Sequence, residues 1–232
     1  MFRFKQFTIR QDNCAMKVGT DGCLLGAWAN LPKEGNILDI GCGSGLLSIM
    51  AAQRSNAKIT GIEIDSGAAK QAFENVSESP WSNRIEIINC DIIDYNGEDI
   101  FDAIISNPPF FQNSLKCPDK ARTAARHDDS LSCNELMQCA KRLLVPGGTL
   151  SIVIPRDLLN TWCDEALFKG LLPRRITDVR TLPHKQAKRS LVEFVKGVHS
   201  IPETSEMTLE EKPGIYSIEA KRLLRDFYLK IE

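Results

Sequence analysis

The sequence predicts a doubly wound α/β domain with a mostly parallel, seven-stranded sheet and helices on both faces. Three observations carry that prediction. After Gly35, apolar strand-like runs alternate with runs of helical spacing; the connections between them are short; and the first strand ends in a glycine turn that opens a helix. At 232 residues, 43% apolar and 25% charged, the chain can bury a sizeable core as a single domain.

The elements follow in order. A short strand pair around Phe4–Ile9 and a helix over Asp21–Asn30 form an expected N-terminal extension, residues 1–35, capping the substrate and cofactor side of a main domain over 36–232. Asn36–Ile40 is a short apolar strand, Leu46–Arg54 has the spacing of a helix packed on a sheet, and Lys58–Ile64 is the next strand. Ser66–Glu78 reads as a helix stopped by Pro80, and Arg84–Cys90 as a third strand. Phe101–Ser106 is a continuous apolar strand, as in a sheet buried on both faces. Ser132–Leu144 is an amphipathic helix with Ser132 as its cap and Glu135 three positions on. Pro146-Gly147-Gly148 is read as a turn into the strand Thr149–Ile154, followed by a helix at Asp157–Lys169, a strand at Ile176–Leu182 and a final strand at Ser190–Lys196.

Composition excludes several classes. The longest mostly apolar stretches, Gly22–Ala29 and Gly45–Ala52, fall far short of the roughly 20 residues that span a bilayer. The start, Met1 to Phe7, alternates charge with aromatics and lacks the apolar core of a secretory signal, so a cytoplasmic protein with no membrane partner is expected. The 8 cysteines have no close metal or redox spacing and His127, His184 and His199 are dispersed, so no metal site and no histidine triad is expected.

Net charge is −1, but it is unevenly spread. Thr60 to Asp102 holds ten acids against Lys70 and Arg84 and cannot face a polyanion. Pro173 to Arg189 carries Arg174, Arg175, Arg180, Lys185, Lys188 and Arg189 against Asp178, and Phe2 to Thr20 carries Arg3, Lys5, Arg10 and Lys17 against Asp12. If these two stretches meet in space they form a basic face; otherwise they are separate solvated surfaces.

The chemistry starts at the first βα turn, Asp39-Ile40-Gly41-Cys42-Gly43-Ser44-Gly45. Glycines there permit positive φ and a close approach of a ligand to the turn and to the helix amides. Glu63 ends the second strand, placed to accept hydrogen bonds from ribose hydroxyls. The Gly-x-Gly-x-Gly spacing, with Leu46 following, departs from the Gly-x-Gly-x-x-Gly dinucleotide fingerprint. With Asp39 before it and Glu63 beyond, it resembles the S-adenosyl-L-methionine motif of class I methyltransferases. The resemblance implies that Asp39, Gly41, Gly43 and Gly45 hold the amino-acid end of the cofactor, Glu63 its ribose, and Asp91 with the Ile92 amide its adenine.

Phe101–Ser106 runs into Asn107-Pro108-Pro109-Phe110. Two successive prolines have no N–H to donate, leaving carbonyl oxygens as the backbone polar groups on offer. An amine conjugated to a ring is a poor nucleophile; accepting both its hydrogens, with the Asn107 side-chain oxygen and the Pro108 carbonyl, favours a pyramidal nitrogen. Phe110 can stack on a planar target. The run resembles motif IV of amino-methyltransferases, which act on adenine N6, guanine N2 or a glutamine amide.

The runs Phe4 to Ile9 and Ala15 to Trp28, with Leu38 to Gly45, Asn107 to Phe110 and Ala125-Arg126-His127, are similar to the bacterial tRNA1(Val) adenine-37 N6-methyltransferases over nearly the whole chain. That resemblance places Thr20 beside the methionine moiety and makes Lys17, Arg126 and His127 substrate contacts; Phe110 stands where the family usually has tyrosine. It implies an enzyme that uses S-adenosyl-L-methionine to methylate adenine in tRNA; a monomer is expected, and the charge of the two basic stretches suits them to grip phosphates. The same pocket suits guanine N2 in ribosomal RNA or a protein glutamine, and a non-catalytic RNA-binding module is the alternative of another class.

Overall fold

A computed structural model describes residues 1–12, 17–108, 131–198 and 201–231. The elements, in chain order, are β1 (Phe2–Arg3), β2 (Thr8–Ile9), α1 (Thr20–Trp28), β3 (Asn36–Ile40), α2 (Leu46–Arg54), β4 (Lys58–Glu63), α3 (Ser66–Ser77), β5 (Ile85–Asn89), β6 (Phe101–Ser106), α4 (Cys133–Leu143), β7 (Leu144–Pro155), α5 (Leu159–Phe168), β8 (Leu171–Arg180), β9 (Arg189–Lys196), β10 (Glu203–Thr208), β11 (Glu210–Lys212), β12 (Ile215–Tyr216) and α6 (Ile218–Leu224).

The central sheet has the order β10-β8-β9-β7-β6-β3-β4-β5, and every pairing in it is parallel except those of β9 with β7 and β8. Among the described residues it therefore has eight strands where the sequence predicts seven. The extra strand, β10, is mostly exposed at the edge and its polar sequence Glu203-Thr-Ser-Glu-Met-Thr208 gives no apolar signal beyond Met207. Strand order reverses between β6 and β3, which are direct neighbours. Ligands of open parallel sheets bind at such a switch point, beyond the carboxyl ends of the strands.

Alternation along the strands divides the core into two layers. Ile37, Ile59, Ile105 and Leu191 join α1, α2 and α6 in one buried cluster, while Leu38, Ile62, Ile104 and Val192 join α4 and α5 in the other. Phe4, Phe7 and Ile9 belong to the first cluster, and Lys5 N donates to Phe227 O at 2.8 Å, so the two ends of the chain pack together.

Two boundaries differ from expectation for physical reasons. Pro146-Gly147-Gly148 lies inside β7, not in a turn. Gly147 takes φ +79, and the register between β6 and β7 shifts after Phe101, so the strand bulges there and continues. β8 begins at Leu171 and ends at Arg180, earlier than the expected Ile176–Leu182, because it pairs with β9 from Leu171↔Lys196 onward. At α4 the expected cap is present as a capping box, the Ser132 side chain accepting from the Glu135 amide and Glu135 accepting from the Ser132 amide. No helix among the described residues is long and apolar enough to cross a membrane.

Candidate active site

The site is assembled at the carboxyl ends of β3, β4, β5 and β6. Asp39 follows Leu38 in β3, so it faces the opposite layer, toward α2. There the Ser48 hydroxyl donates to Asp39 Oδ2 at 2.6 Å. Asp39 is fully buried, and its Oδ1 has no hydrogen-bond partner among the described residues. Burial pushes the Asp39 carboxyl up to about 7; the Ser48 hydrogen bonds oppose that rise and the Glu63 carboxylate adds to it.

Gly41 and Gly43 adopt φ of +69 and +54, and a Cβ built on either would meet nothing within 4 Å. They therefore open space above the turn while taking a backbone conformation that L side chains rarely adopt. The turn's own amides are largely committed. Gly41 N and Cys42 N both donate to Ile62 O, Gly45 N donates to Cys42 O, and Gly43 N donates to Glu63 Oε2 at 2.8 Å. What Gly41 and Gly43 offer a ligand is therefore room for close approach. Gly45 has a different setting, since its Cβ position lies 3.4 Å from Ala72 of α3, a close approach of two helices.

Glu63, at the end of β4, is buried and oriented by two amides, those of Gly43 and Asp65, the latter donating to Oε1 at 2.9 Å. Asn89, at the end of β5, donates to the carbonyls of Glu63 and Ile64 and fixes the chain just beyond the carboxylate. Two residues further, Asp91 accepts from Ile93 N through Oδ1 at 2.9 Å, and Ile92 is buried.

Across the switch point, the Ser106 hydroxyl donates to Ile40 O at 2.8 Å, tying the end of β6 to the end of β3 immediately before Asn107. Asn107 Oδ1 is buried with no hydrogen-bond partner among the described residues, and Pro108 is buried beside it. A Cβ on Gly22 of α1 would lie 3.7 Å from Asn107 Nδ2 and 3.2 Å from Leu46 Cδ2. The first turn of α1 therefore walls the asparagine on one side, and the first residue of α2 adjoins that turn. Pro109, Phe110, Arg126 and His127 lie outside the described residues. Lys17 and Thr20 are exposed just before and at the start of α1.

Many of the cations in the two basic stretches are engaged within the fold. Lys5 Nζ donates to the Arg225 carbonyl and lies with Gln53 and Arg54 along a crevice at the C-terminal end of α2, away from the glycine turn where that helix starts. Arg10 pairs with Glu78 at 2.8 Å. In the second stretch Arg174 and Arg175 both face the buried Glu193, Arg175 covers the Trp28 ring at 3.7 Å, Arg180 pairs with Glu206, and Arg189 pairs with Asp21 at 2.7 Å. Lys185 and Lys188 are exposed in the connection from β8 to β9.

Sequence reasoning missed Ser48, Asn89 and the Asp21–Arg189 pair. None has a motif: a serine within a helix carries no signal of the carboxylate it holds, and Asp21 and Arg189 are 168 residues apart.

Residues 19–170 match the family model described as Methyltransferase small domain. The chain is 46% identical to a tRNA1(Val) (adenine(37)-N6)-methyltransferase of Bacteroides fragilis, over 99% of this chain and 98% of that protein. It is 45% identical to the protein of the same name from Trichodesmium erythraeum, with 99% and 98% covered. Among solved structures it is similar to a predicted O-methyltransferase from Agrobacterium tumefaciens, with TM-score 0.69, 20% identity and 89% and 96% of the two chains covered. It is also similar to geranyl diphosphate C-methyltransferase from Streptomyces coelicolor in complex with S-adenosyl-L-homocysteine, with TM-score 0.52, 13% identity and 75% and 73% covered.

Proposed function

The chain belongs to the Methyltransferase small domain family and, within it, to the tRNA1(Val) (adenine(37)-N6)-methyltransferases, and on that premise we propose that it methylates N6 of adenine 37 in tRNA1(Val) with S-adenosyl-L-methionine as donor. The observation that carries this reading is the buried Asn107 Oδ1 at the switch point, which has no hydrogen-bond partner among the described residues.

When bound, S-adenosyl-L-methionine supplies an electrophilic methyl group. The residues fit it: open space above Gly41 and Gly43, the unsatisfied Asp39 Oδ1 for an ammonium, the oriented Glu63 carboxylate for ribose hydroxyls, and Asp91 with the Ile92 amide for an adenine edge. Thr20 would close the methionine end. A ligand that donates to Asp39 satisfies a buried acceptor that has no partner among the described residues.

On the substrate side, Asn107 Oδ1 and the Pro108 carbonyl accept the two amine hydrogens of the target base. Holding both in acceptors draws the lone pair out of conjugation with the ring. Prolines at 108 and 109 contribute no N–H to compete for those acceptors. The target sits in a hairpin loop, where a base is splayed out at lower cost than from a duplex, and Phe110 offers it a stacking face. Lys17, Arg126 and His127 are assigned to substrate contacts.

The test is incubation with labelled S-adenosyl-L-methionine and separated tRNA and ribosomal RNA fractions, followed by nucleoside mass spectrometry. The reading expects label in tRNA as N6-methyladenosine; label in a guanine product of ribosomal RNA rejects it. Asn107→Ala is expected to abolish methylation while leaving cofactor binding intact.

A further inference from the structure

The ion pair between Asp21 and Arg189 joins the first turn of α1 to the start of β9, at the rim of the apolar contact that α1 makes with Val153 and Leu191. Arg189 is the first residue of β9 and pairs with Pro155, the last residue of β7, so it stands on the carboxyl edge of the sheet. Asp21 is the second residue of α1. Arg189 Nε donates to Asp21 Oδ2 at 2.7 Å. One residue later in α1, Gly22 presents its Cα to Asn107, with 3.7 Å between a Cβ position there and Asn107 Nδ2.

The anchoring side of the pair is itself braced. Ser190, next to Arg189, donates to Asp178 Oδ1, and Arg156 Nε donates to Asp178 Oδ2 at 2.6 Å. Arg156 N donates to Lys188 O, and Lys188 N donates to Val179 O. The start of β9 is thus fixed to the ends of β7 and β8 from both sides. On the other side of the pair, α1 is buried from Gly22 to Trp28, whereas its first turn has no side-chain cap at Gly19.

We propose that Arg189 and Asp21 are positioning residues for Asn107: their pair holds the first turn of α1 against the sheet edge, and the Gly22 wall keeps the asparagine amide rotated with its oxygen toward the substrate. The inference rests on the reading that Asn107 accepts hydrogens from the target amine. The pair is partly open to solvent, with side chains 38% and 32% exposed, and solvent-screened pairs contribute little to fold stability. Its loss should therefore be felt in geometry rather than in unfolding. An acceptor displaced by a fraction of an ångström loses much of its effect in the transition state.

The experiment compares Asp21→Asn, Arg189→Gln, the double variant and Asn107→Ala as full-length proteins. Methylation of tRNA1(Val) transcript is measured over a range of salt, alongside S-adenosyl-L-methionine affinity and thermal midpoint. The expected result is a kcat lowered about tenfold in each single variant of the pair. The double variant should be no worse than either single one, with KM for tRNA, its salt dependence and the thermal midpoint unchanged. Arg189→Lys should recover part of the loss. Unchanged kcat in Asp21→Asn, or losses that multiply in the double variant, overturns the inference. So does a weaker and less salt-dependent tRNA KM in Arg189→Gln alone, which makes Arg189 a phosphate ligand. Full activity in Asn107→Ala would instead overturn the reading beneath it.

Discussion

Asp39 sets the residue-scale behaviour of the site. Its carboxyl titrates near 7 in the fold against an ordinary 3.8, so the native state holds that proton more tightly than the unfolded chain does. The sign follows from linkage: the stability associated with the protonated group is complete below about 4 and is lost as pH rises to about 7. Asp39→Asn, uncharged and of the same shape, should therefore melt higher than the parent protein in mildly alkaline buffer, by roughly 5 °C, while binding S-adenosyl-L-methionine more weakly. A cationic ligand wants the carboxylate. Calorimetric affinity for the cofactor should accordingly weaken as pH falls below about 7, and Ser48→Ala, which removes the hydrogen bond that holds the carboxyl down, should move that break to higher pH. A pH-independent affinity would speak against Asp39 as the ammonium partner. Asp39 and Asn107 were legible because each sits in a motif whose chemistry is local. Ser48 was not, since its role exists only once α2 lies across β3.

At the scale of elements, α2 can lie there because β4 carries Gly61. A Cβ at that position would meet Ile87 Cδ1 at 2.7 Å, Ser48 Oγ at 3.0 Å and Cys42 Sγ at 3.1 Å. Gly61→Val should push Ser48 off Asp39 and strain the turn, lowering stability by about 1–3 kcal/mol and cofactor affinity together; a drop in stability with affinity intact would separate the two. The capping box of α4 offers a simpler check, since Ser132→Ala should remove about 1 kcal/mol in denaturant unfolding without touching the site. Helices and strands from Asn36 to Ser106 were readable almost to the residue, because apolar period and glycine placement agree there. Farther on, the reading weakened where sequence and period parted. A Pro-Gly-Gly run was absorbed into β7 by a bulge, and β10 and α6 pack on a sheet edge that had no predicted partner strand.

Across the whole molecule, charge is arranged by partner as much as by sequence. The basic stretch over Pro173–Arg189 looked like a phosphate grip, yet Arg174, Arg175, Arg180 and Arg189 each face an acid from elsewhere in the chain. That pairing was invisible along the sequence, because those acids come from Asp21, Glu193 and Glu206. Lys185 and Lys188 remain exposed on the carboxyl edge, beside the braced start of β9. Replacing either by glutamine should weaken tRNA binding and flatten its salt dependence by about 0.7–0.9 in log-log slope for each phosphate no longer neutralised. Arg174→Gln, whose head already faces Glu193, should change that slope much less. Filter binding over a salt series distinguishes them, and equal effects at all three positions would mean that the arginine pairs open when RNA binds.

The central claim is that Asn107 Oδ1 and the Pro108 carbonyl receive an exocyclic adenine amine. The most direct measurement is nucleoside mass spectrometry of tRNA1(Val) transcript after incubation with S-adenosyl-L-methionine, using the parent protein and Asn107→Ala, with cofactor affinity measured for both. The account predicts N6-methyladenosine at position 37 with the parent protein and none with Asn107→Ala, at comparable cofactor affinity. Methylation that survives in Asn107→Ala, or that appears on guanine, would contradict it.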